Sequence, residues 1–429
     1  MTVEKTSPDV SRNRRNVISW ALWDWGSSAF NAIILTFVFS VYLTKAVAAD
    51  ETTGSARLGL GLTIAGVCVA LLAPVTGQRS DASGRHKVWL AAHTGVVVAC
   101  MAGMFFVRDS PSYLTLGITL VAIGVVFVEF AQVNYNALML RVVTPENIGR
   151  ISGFGWSMGY FGGLVALTFV LFAFVEPDVG LFGVTSAGGL NIRVVALFCA
   201  LWFVVFALPV LLFVPQPPRS GAIERRNFFA SYPVLGRRIA QMWRTDRNTL
   251  WFLIASAIYR DGLLAIFTFG GVIAAGTFGF SSTEVVIFAI GANLTAGIGA
   301  LFGGRLDDRI GPKKVIVGSL VALVVAGTAL VVLPGKAAFW VCGLALTLFV
   351  GPSQAAGRTF LARIVPRERE GEAFGLYATT GRAATFLGPA AFSGFISLFG
   401  SQRAGMVGLV LVLLVGLVVL LPVKGPETE

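Results

Sequence analysis

Six charged side chains lie inside long apolar stretches of the sequence, where a charge is costly and usually has a function. They are Asp24, Glu129, Asp261, Arg260, Arg358 and Arg382. A carboxylate in a desolvated cavity is a candidate for taking up and releasing protons. A guanidinium group can bind that carboxylate, or the carboxylate or phosphate of a small molecule. These residue types therefore indicate proton movement and anion binding inside an apolar protein.

Two of the carboxylates begin polar stripes on apolar helices. The first stripe has the spacing of one helix face and consists of Asp24, Ser27, Ser28 and Asn31. The second has the same arrangement and consists of Glu129, Gln132 and Asn136. We expect both stripes to face one cavity. The candidate substrate contacts are Arg260, Arg382, Arg358, Asn31, Gln132, Asn136 and Trp23.

The three carboxylates are not equal candidates for proton coupling. Glu129 lies deeper in the membrane than Asp24, about 18 Å from the inner end of its helix. No arginine is adjacent in its own helix, whereas Arg260 precedes Asp261. We therefore predict Glu129 as the principal coupling residue, Asp24 as the second and Asp261 as a further candidate. The alternatives are fixed salt bridges between helices and, for Arg358, snorkelling to the membrane surface.

The elements that would hold these groups are long apolar helices. The 429-residue chain is 55% hydrophobic and only 13% charged, about half the charged share of a soluble domain. Twelve stretches are long enough to cross a bilayer. They are 17–46, 58–78, 88–107, 113–140, 151–175, 193–214, 248–276, 284–303, 314–334, 337–362, 373–399 and 403–422. The sequence predicts an all-α membrane protein with twelve transmembrane helices.

The distribution of Lys and Arg predicts the orientation of these helices. The tails and loops on the side of both termini carry 24 of these residues, and the loops on the other side carry 6. Because positively charged loops stay in the cytoplasm, we expect both termini there, in the cell (inner) membrane. The expected order is tail, first half, linker, second half and tail: 1–16, 17–214, 215–247, 248–422 and 423–429. The linker alternates apolar residues with arginines, which suits an amphipathic segment on the inner leaflet or a plain connection.

Several function classes are disfavoured by the same composition. The net charge of +11 is spread over short loops, which argues against nucleic-acid binding. The four cysteines lie far apart in apolar stretches without metal-ligand spacing. The sequence has no phosphate-binding loop and no nucleophile–base pair. We expect no cofactor, no metal and no enzymatic activity; the expected partners of this monomer are a small-molecule substrate, protons and the bilayer.

Two loops, called here the gate loops, repeat between the halves. They are GQRSDASGRHK at 77–87 and GRLDDRIGPKK at 304–314, and their pattern residues are Gly77, Asp81, Gly84, Arg85 and Lys87, then Gly304, Asp308, Gly311 and Lys314. The glycines allow a tight turn between helices. The aspartate can accept N–H bonds at a nearby helix start, and the cations can neutralise it. A second repeat begins at Gln132 and Gln354, so two six-helix halves arose by duplication, as in many transporters.

With twelve helices in two halves, the gate loops resemble the signature loop of the major facilitator superfamily, although Pro312 stands where the family prefers arginine. The resemblance implies alternating access around a cavity lined by the first and fourth helices of each half, which include Asp261 and Arg358. It also implies that the loops latch the cytoplasmic gate, the first one against the start of the eleventh helix. A hairpin that only fixes topology is the alternative.

The opening sequence RRNVISWALWDWGSSAFNAIILTFVFSVYL is similar to the first helix of the vacuole-effluxer-like branch of this superfamily. The matching residues are Trp20, Asp24, Trp25, Ser28, Phe30, Phe37, Phe39 and Tyr42. Trp23 and Ser40 depart from the pattern. The branch includes vacuolar amino-acid exporters. Antiport is not supported, because Tyr160 replaces the proline of the antiporter motif.

We predict a secondary active transporter that moves a small polar solute by alternating access and couples this movement to protons, with an amino acid as one candidate. The alternative is an exporter of a larger amphipathic, lipid-like or drug-like compound, which apolar, aromatic-rich cavity helices would suit. An intramembrane enzyme lacks its catalytic residues here. A receptor or scaffold would not need a latch in both halves.

Overall fold

The computed structural model describes residues 10–216, 231–366 and 369–425, and these residues are almost entirely helical. The helices of the first half are α1 (Val10–Ala29), α2 (Glu51–Ser83), α3 (His86–Gly103), α4 (Leu114–Met139), α5 (Ile148–Val170) and α6 (Leu190–Phe213). Wide helical turns at Phe30–Phe37 and Leu43–Val47, with a short α-helix at Phe39–Tyr42 between them, prolong α1. The membrane-spanning stretch that starts with the WALWDWG sequence is therefore one long element.

A linker helix, Ser231–Thr245, leads into the second half. The helices of that half are α7 (Arg247–Phe278), α8 (Ser282–Ile310), α9 (Pro312–Val332), α10 (Lys336–Ile364), α11a (Glu370–Ala384), α11b (Leu387–Phe399) and α12 (Gln402–Leu420). Residues 217–230 of the expected amphipathic linker lie outside the described residues. Within the described part, the Tyr232 hydroxyl donates to the Leu71 carbonyl of α2 at 3.3 Å.

The all-α membrane fold predicted from the sequence is confirmed, with one difference in its eleventh helix. Eleven helices in the described ranges are long and apolar enough to span a membrane. The stretch at 373–399 is not one helix, because α11a ends at Ala384 and α11b begins at Leu387. Pro389 follows this break; it has no N–H to donate to the carbonyl four residues earlier, and its ring crowds that carbonyl.

Each half has its own cluster of buried apolar side chains. One cluster contains residues between 20 and 214, and the other contains residues between 252 and 423 together with Val133. The halves meet where α2 packs on α11a and α5 packs on α8. Glycines allow these contacts, since a side chain at Gly77 would collide with the Gly371 backbone and one at Gly304 with the Gly149 backbone. The interface therefore repeats with the symmetry of the duplication.

The halves are joined mainly at the end of the molecule that carries the gate loops. In the described ranges, hydrogen bonds and ion pairs between the halves lie from the gate loops to the middle of the helices. Beyond the middle, α11b packs on α7 and α12 of its own half. This conformation is closed at the gate-loop end.

The orientation of the fold is tested by cysteine accessibility. Ser186 and Gln241 are exposed and lie at opposite ends of the molecule, in the α5–α6 loop and the linker helix. If the termini are cytoplasmic, Ser186→Cys reacts with a membrane-impermeant maleimide in intact cells, and Gln241→Cys reacts only after permeabilisation. The four native cysteines are replaced first, and that cysteine-free protein is the blank. The reverse labelling pattern would contradict the predicted topology.

Candidate functional site

The side chain of Arg358 crosses from α10 into the first half. Its guanidinium group donates to the Ser152 hydroxyl at 3.0 Å, to the Ser152 carbonyl at 2.7 Å and to the Asn136 side-chain oxygen at 3.2 Å. Three aromatic rings surround it, with centroids 5.1 to 5.8 Å away: Trp20, Tyr135 and Trp156. Only 2% of the side chain is exposed. Arg358 therefore does not snorkel; it locks α10 to the first half.

Asp24 lies beside this guanidinium group. One carboxylate oxygen accepts from the Tyr135 hydroxyl at 3.1 Å and lies 3.9 Å from Arg358. The Tyr135 ring is stacked between Trp20 and Trp23, each with its centroid 4.6 Å away. Because a tryptophan packs on each face of the Tyr135 ring, the direction in which the Tyr135 hydroxyl points is fixed. The carboxylate of the WALWDWG stretch therefore faces a buried cation from the other half.

Trp23 does not line a cavity, contrary to its selection as a substrate contact. Its side chain is fully buried, and its indole N–H donates to the Thr94 hydroxyl of α3 at 3.1 Å. Ser27 and Ser28 are also buried and donate to carbonyls of α1 itself. Asn31, seven residues beyond Asp24, is exposed. Of the first polar stripe, Asn31 is therefore exposed, whereas Asp24 keeps only 13% of its side chain exposed.

A second charged pair joins the halves near the middle of the helices. Glu129 of α4 contacts Arg382 of α11a in a short, direct ion pair. About a quarter of each side chain is exposed, 26% for Glu129 and 27% for Arg382. The expectation that the Glu129 carboxylate has little compensation from a nearby cation is therefore wrong, because Arg382 of the opposite half pairs with it. Unlike Arg358, this pair is accessible to a solute.

Two hydrogen bonds extend from the buried charged pair along α4 towards Glu129. Gln132 donates to the Asn136 side-chain oxygen at 3.2 Å, and that same oxygen accepts from Arg358. Glu129, Gln132 and Asn136 lie on one face of α4, about 10 Å from first to last. The second polar stripe thus runs from the accessible pair to the buried one.

Arg260 and Asp261 do not pair with Asp24 or Glu129 in this conformation. The Arg260 guanidinium group lies 3.9 Å from the Tyr377 ring centroid and donates to the Tyr377 carbonyl at 3.1 Å. Asp261 is buried and accepts from the main-chain N–H of Gly388. Both residues of α7 therefore contact the broken eleventh helix, one on each side of the break.

The first gate loop contacts the start of α11a. Asp81 accepts from the main-chain N–H groups of Gly371 and Glu372, both at 2.8 Å. The residue before this helix, Arg369, makes no side-chain cap of its own. A carboxylate at a helix start bonds free N–H groups and interacts favourably with the helix dipole. Asp81 of the first half therefore caps a helix of the second half.

The second gate loop makes the corresponding contact in the other direction. Asp308 accepts from the N–H groups of Gly149 and Arg150 at 2.6 and 2.9 Å, at the start of α5. This helix also lacks a side-chain cap from its own N-cap residue, Asn147. The fold therefore closes the gate-loop end with two symmetric cross-half caps. Their role in gating stays a prediction.

The expected neutralisation by the loop cations differs in detail. In the described part of the chain, Asp81 lies 3.3 Å from His86, and Asp308 lies 3.6 Å from Arg363 of α10. Arg85 and Lys314 are exposed. Gly84 and Gly311 have φ values of +60° and +85°, which glycine adopts without strain. The loop pattern thus shapes the turn. The cation opposite Asp308 comes from α10, whereas the group opposite Asp81 is a histidine of the loop itself, which is charged only when protonated.

Sequence reasoning missed several residues of this site. Tyr135, Ser152 and Trp156 surround the buried charges, and the Tyr160 hydroxyl donates to Gln354 of the other half at 2.7 Å. The signal for Gln354 was present, because it is the repeat partner of Gln132. Tyr135 and Trp156 gave no comparable signal, since an aromatic residue in an apolar helix is ordinarily a packing residue.

A family model described as "Vacuole effluxer Atg22 like" matches residues 142–427, two thirds of the chain. The uncharacterised MFS-type transporter YxiO of Bacillus subtilis (strain 168) is 25% identical over 410 residues, covering 94% of this chain and 93% of that protein. Autophagy-related protein 22 of Cryptococcus neoformans var. neoformans serotype D (strain B-3501A) is 25% identical over 296 residues, which is 64% of this chain and 52% of that protein.

The fold has a close counterpart among solved structures. The E. coli fucose:proton symporter FucP superposes with a TM-score of 0.74 over 98% of this chain and 99% of that chain, at 12% sequence identity. At that identity the likeness shows the fold alone. The family and the fold describe an integral, multi-pass membrane protein that transports a small molecule and is not an enzyme. The chain belongs to the vacuole effluxer Atg22-like family of major facilitator superfamily transporters.

Proposed function

We propose that this transporter moves a small zwitterionic solute, of the amino-acid class, by proton-coupled alternating access. One observation carries the proposal: two charged pairs cross the interface between the halves. The first half supplies both carboxylates, Asp24 and Glu129, and the second half supplies both guanidinium groups, Arg358 and Arg382. A cavity that is acidic on one wall and basic on the other suits a solute with both charges.

The accessible pair is the proposed substrate site. A free α-amino acid carries a carboxylate and an ammonium group. Its carboxylate can replace Glu129 on Arg382, and its ammonium group can replace Arg382 on Glu129. Asn31 and Gln132 then offer neutral hydrogen-bonding groups to the rest of the solute. A solute with one charge leaves one member of the pair without a partner, which is costly in a partly buried site.

The buried pair is the proposed connection to the gate. Opening the gate-loop end requires the Arg358 side chain to withdraw from its contacts with the first half. It also requires Asp81 and Asp308 to release the N-termini of α11a and α5. A proton on Asp24 removes the negative charge that faces Arg358 and so lowers the cost of this withdrawal. A proton on Glu129 similarly frees Arg382. Proton binding and gate opening are thereby linked through the same cross-half contacts.

The conformation described here is outward-facing if the gate loops are cytoplasmic, as the Lys and Arg distribution predicts. We place the protein in the cell (inner) membrane, acting as a monomer, since the proposed cavity lies between the halves of one chain.

Export of a larger amphipathic compound has less support. The tryptophans of α1 that could form an aromatic wall are Trp20, Trp23 and Trp25. The first two are fully buried, and Trp25 packs against aromatic rings of α6.

The proposal is tested in liposomes that contain the purified protein, after metabolite profiling of cells with and without the gene selects the amino acids to try. Uptake driven by a pH gradient is measured for each amino acid, for its decarboxylated amine and for its deaminated acid. We expect the zwitterion to be transported at least about tenfold faster than either singly charged analogue. Each analogue leaves either Glu129 or Arg382 without a charged partner in a partly buried site. Equal rates for all three, or transport of an amphipathic dye alone, would contradict the proposed substrate class.

A further inference from the structure

The break in the eleventh helix frees main-chain oxygens near the middle of the membrane. In a continuous helix, the carbonyl groups of Ala384 and Thr385 would accept from the N–H groups of residues 388 and 389. Residue 389 is proline and has no N–H. The N–H of Gly388 donates instead to Asp261 of α7, at 2.5 Å. Both carbonyl groups therefore lose their helical donors at one place.

Proline alone does not explain this break. Pro74, Pro209 and Pro352 lie inside α2, α6 and α10, and these helices continue through them. What distinguishes α11 is the carboxylate that takes the Gly388 N–H. A side chain at residue 388 would lie 3.1 Å from the Asp261 oxygen and 2.8 Å from Ala265, so glycine is needed for this close approach. The break is thus built around Asp261.

Half of the Asp261 carboxylate is left without a partner. The residue is only 3% exposed, and one carboxylate oxygen, Oδ2, accepts from Gly388. The other oxygen, Oδ1, is buried and has no hydrogen-bond partner among the described residues. An unpaired carboxylate oxygen in an apolar interior is costly. This oxygen is the carboxylate atom of α7 for which the described residues offer no donor.

The nearby cations are engaged elsewhere. Arg260, the preceding residue, lies against the Tyr377 ring and carbonyl. Arg382 of α11a is paired with Glu129. The Gly388 N–H and the start of α11b supply partial positive charge to Oδ2, which offsets part of the cost of burying a charged carboxylate at this place. A negative charge held in this way, with free oxygens beside it, is the setting in which discontinuous transporter helices bind cations.

We propose that Oδ1 of Asp261 and the freed main-chain oxygens of the α11 break bind a monovalent metal cation, Na⁺. Carboxylate and carbonyl oxygens are ligands for hard cations. One carboxylate balances one positive charge, whereas a divalent ion would leave an excess charge in the membrane interior. This site lies apart from Asp24 and Glu129, and it would join α11a, which Asp81 caps, to α11b. A proton on Asp261, the role expected from the sequence, is the alternative that the test distinguishes.

The test measures thermal unfolding of the purified full-length protein, and it does not depend on transport. Unfolding is followed in NaCl and in choline chloride at equal ionic strength and constant pH. A ligand that binds only the folded state stabilises it by mass action, so we expect a saturable rise in Tm of a few °C, specific to Na⁺. Asp261→Asn should abolish the Na⁺-specific rise. Glu284→Gln is the matched control, since Glu284 also accepts an N–H at a helix start, and it should keep the rise.

Direct binding provides a second measurement that needs no variant. Equilibrium dialysis of the wild-type protein with ²²Na⁺ should show saturable binding that excess NaCl displaces and choline chloride does not. Three results would overturn the proposal: equal Tm in NaCl and choline chloride, a Na⁺-specific rise that Asp261→Asn retains, or no saturable ²²Na⁺ binding. A Tm that depends on pH but not on Na⁺, and loses that dependence in Asp261→Asn, would assign the site to a proton instead.

Discussion

Replacing Arg358 with glutamine is expected to open the gate-loop end of the molecule. The substitution removes the positive charge and the bonds that cross into the first half at Ser152 and Asn136. It also leaves Asp24 without its facing cation. A hydrogen bond from a charged group contributes about 1.5–3 kcal/mol, and water replaces part of this in the open state. A net change of about 2 kcal/mol corresponds to a shift of roughly thirtyfold towards the open state.

The shift is measured by electron spin resonance on a cysteine-free protein that carries two spin labels. Glu146 and Arg309 are exposed positions at the gate-loop end, one in each half, and their separation increases when this end opens. We expect the wild-type protein to show mainly the short distance and Arg358→Gln mainly the long one. Arg358→Lys keeps the charge but not the planar arrangement of donors, so it should give an intermediate result.

Asp81→Asn is the comparison for the outer part of the same interface. It keeps the size of the side chain and weakens one of the two cross-half caps, while the Asp308 cap remains. Losing a helix cap costs about 1 kcal/mol, so the shift should be smaller than that of Arg358→Gln. If Arg358→Gln folds and the short distance persists, Arg358 is a packing residue and the proposed connection between Asp24 and the gate is wrong.

The sequence predicted the charges of this site but not their pairing. Spacing along one helix shows which residues share a face, as for Glu129, Gln132 and Asn136. It does not show which other helix that face meets. Glu129 seemed uncompensated because its partner, Arg382, lies 253 residues away. The carboxylates could therefore be found from the sequence, whereas their partners required the packing of the halves.

The gate loops were more predictable because their pattern is local. The glycines, the aspartate and the following helix start are all determined within eleven residues. Even here, the helix that each aspartate caps belongs to the other half, and only the family resemblance indicated this for Asp81. The duplication then indicates Gly149 and Arg150 as the corresponding partners of Asp308.

The break in α11 shows a different limit. Its sequence, FLGP, contains a proline, but three other transmembrane helices contain prolines without breaking. A proline in a membrane helix is tolerated when neighbouring groups satisfy the freed backbone. The outcome at Pro389 depends on Asp261, which is distant in sequence and takes the Gly388 N–H. A hydropathy pattern contains no information about such a contact.

Glu129→Gln is expected to abolish transport driven by a pH gradient while leaving substrate exchange partly intact. Glutamine mimics the protonated carboxyl group in size and hydrogen bonding, so the site should still form. Arg382 loses its charged partner in every state and remains free for the solute carboxylate. Return of the empty carrier, however, no longer depends on proton release. Gradient-driven uptake should fall about a hundredfold, the scale on which loss of a positioned proton-transfer group acts.

Exchange need not return an empty carrier, and this difference makes the prediction specific to proton coupling. Gradient-driven uptake and substrate exchange are measured in the same liposomes, with Glu176→Gln as the control because Glu176 is an exposed carboxylate. We expect the control to retain both activities. Equal loss of both in Glu129→Gln would show that Glu129 only binds substrate or holds the helices together, and does not couple protons. Full retention of both would leave the Glu129–Arg382 pair as a packing contact and make Asp24, beside Arg358, the residue whose proton drives the cycle.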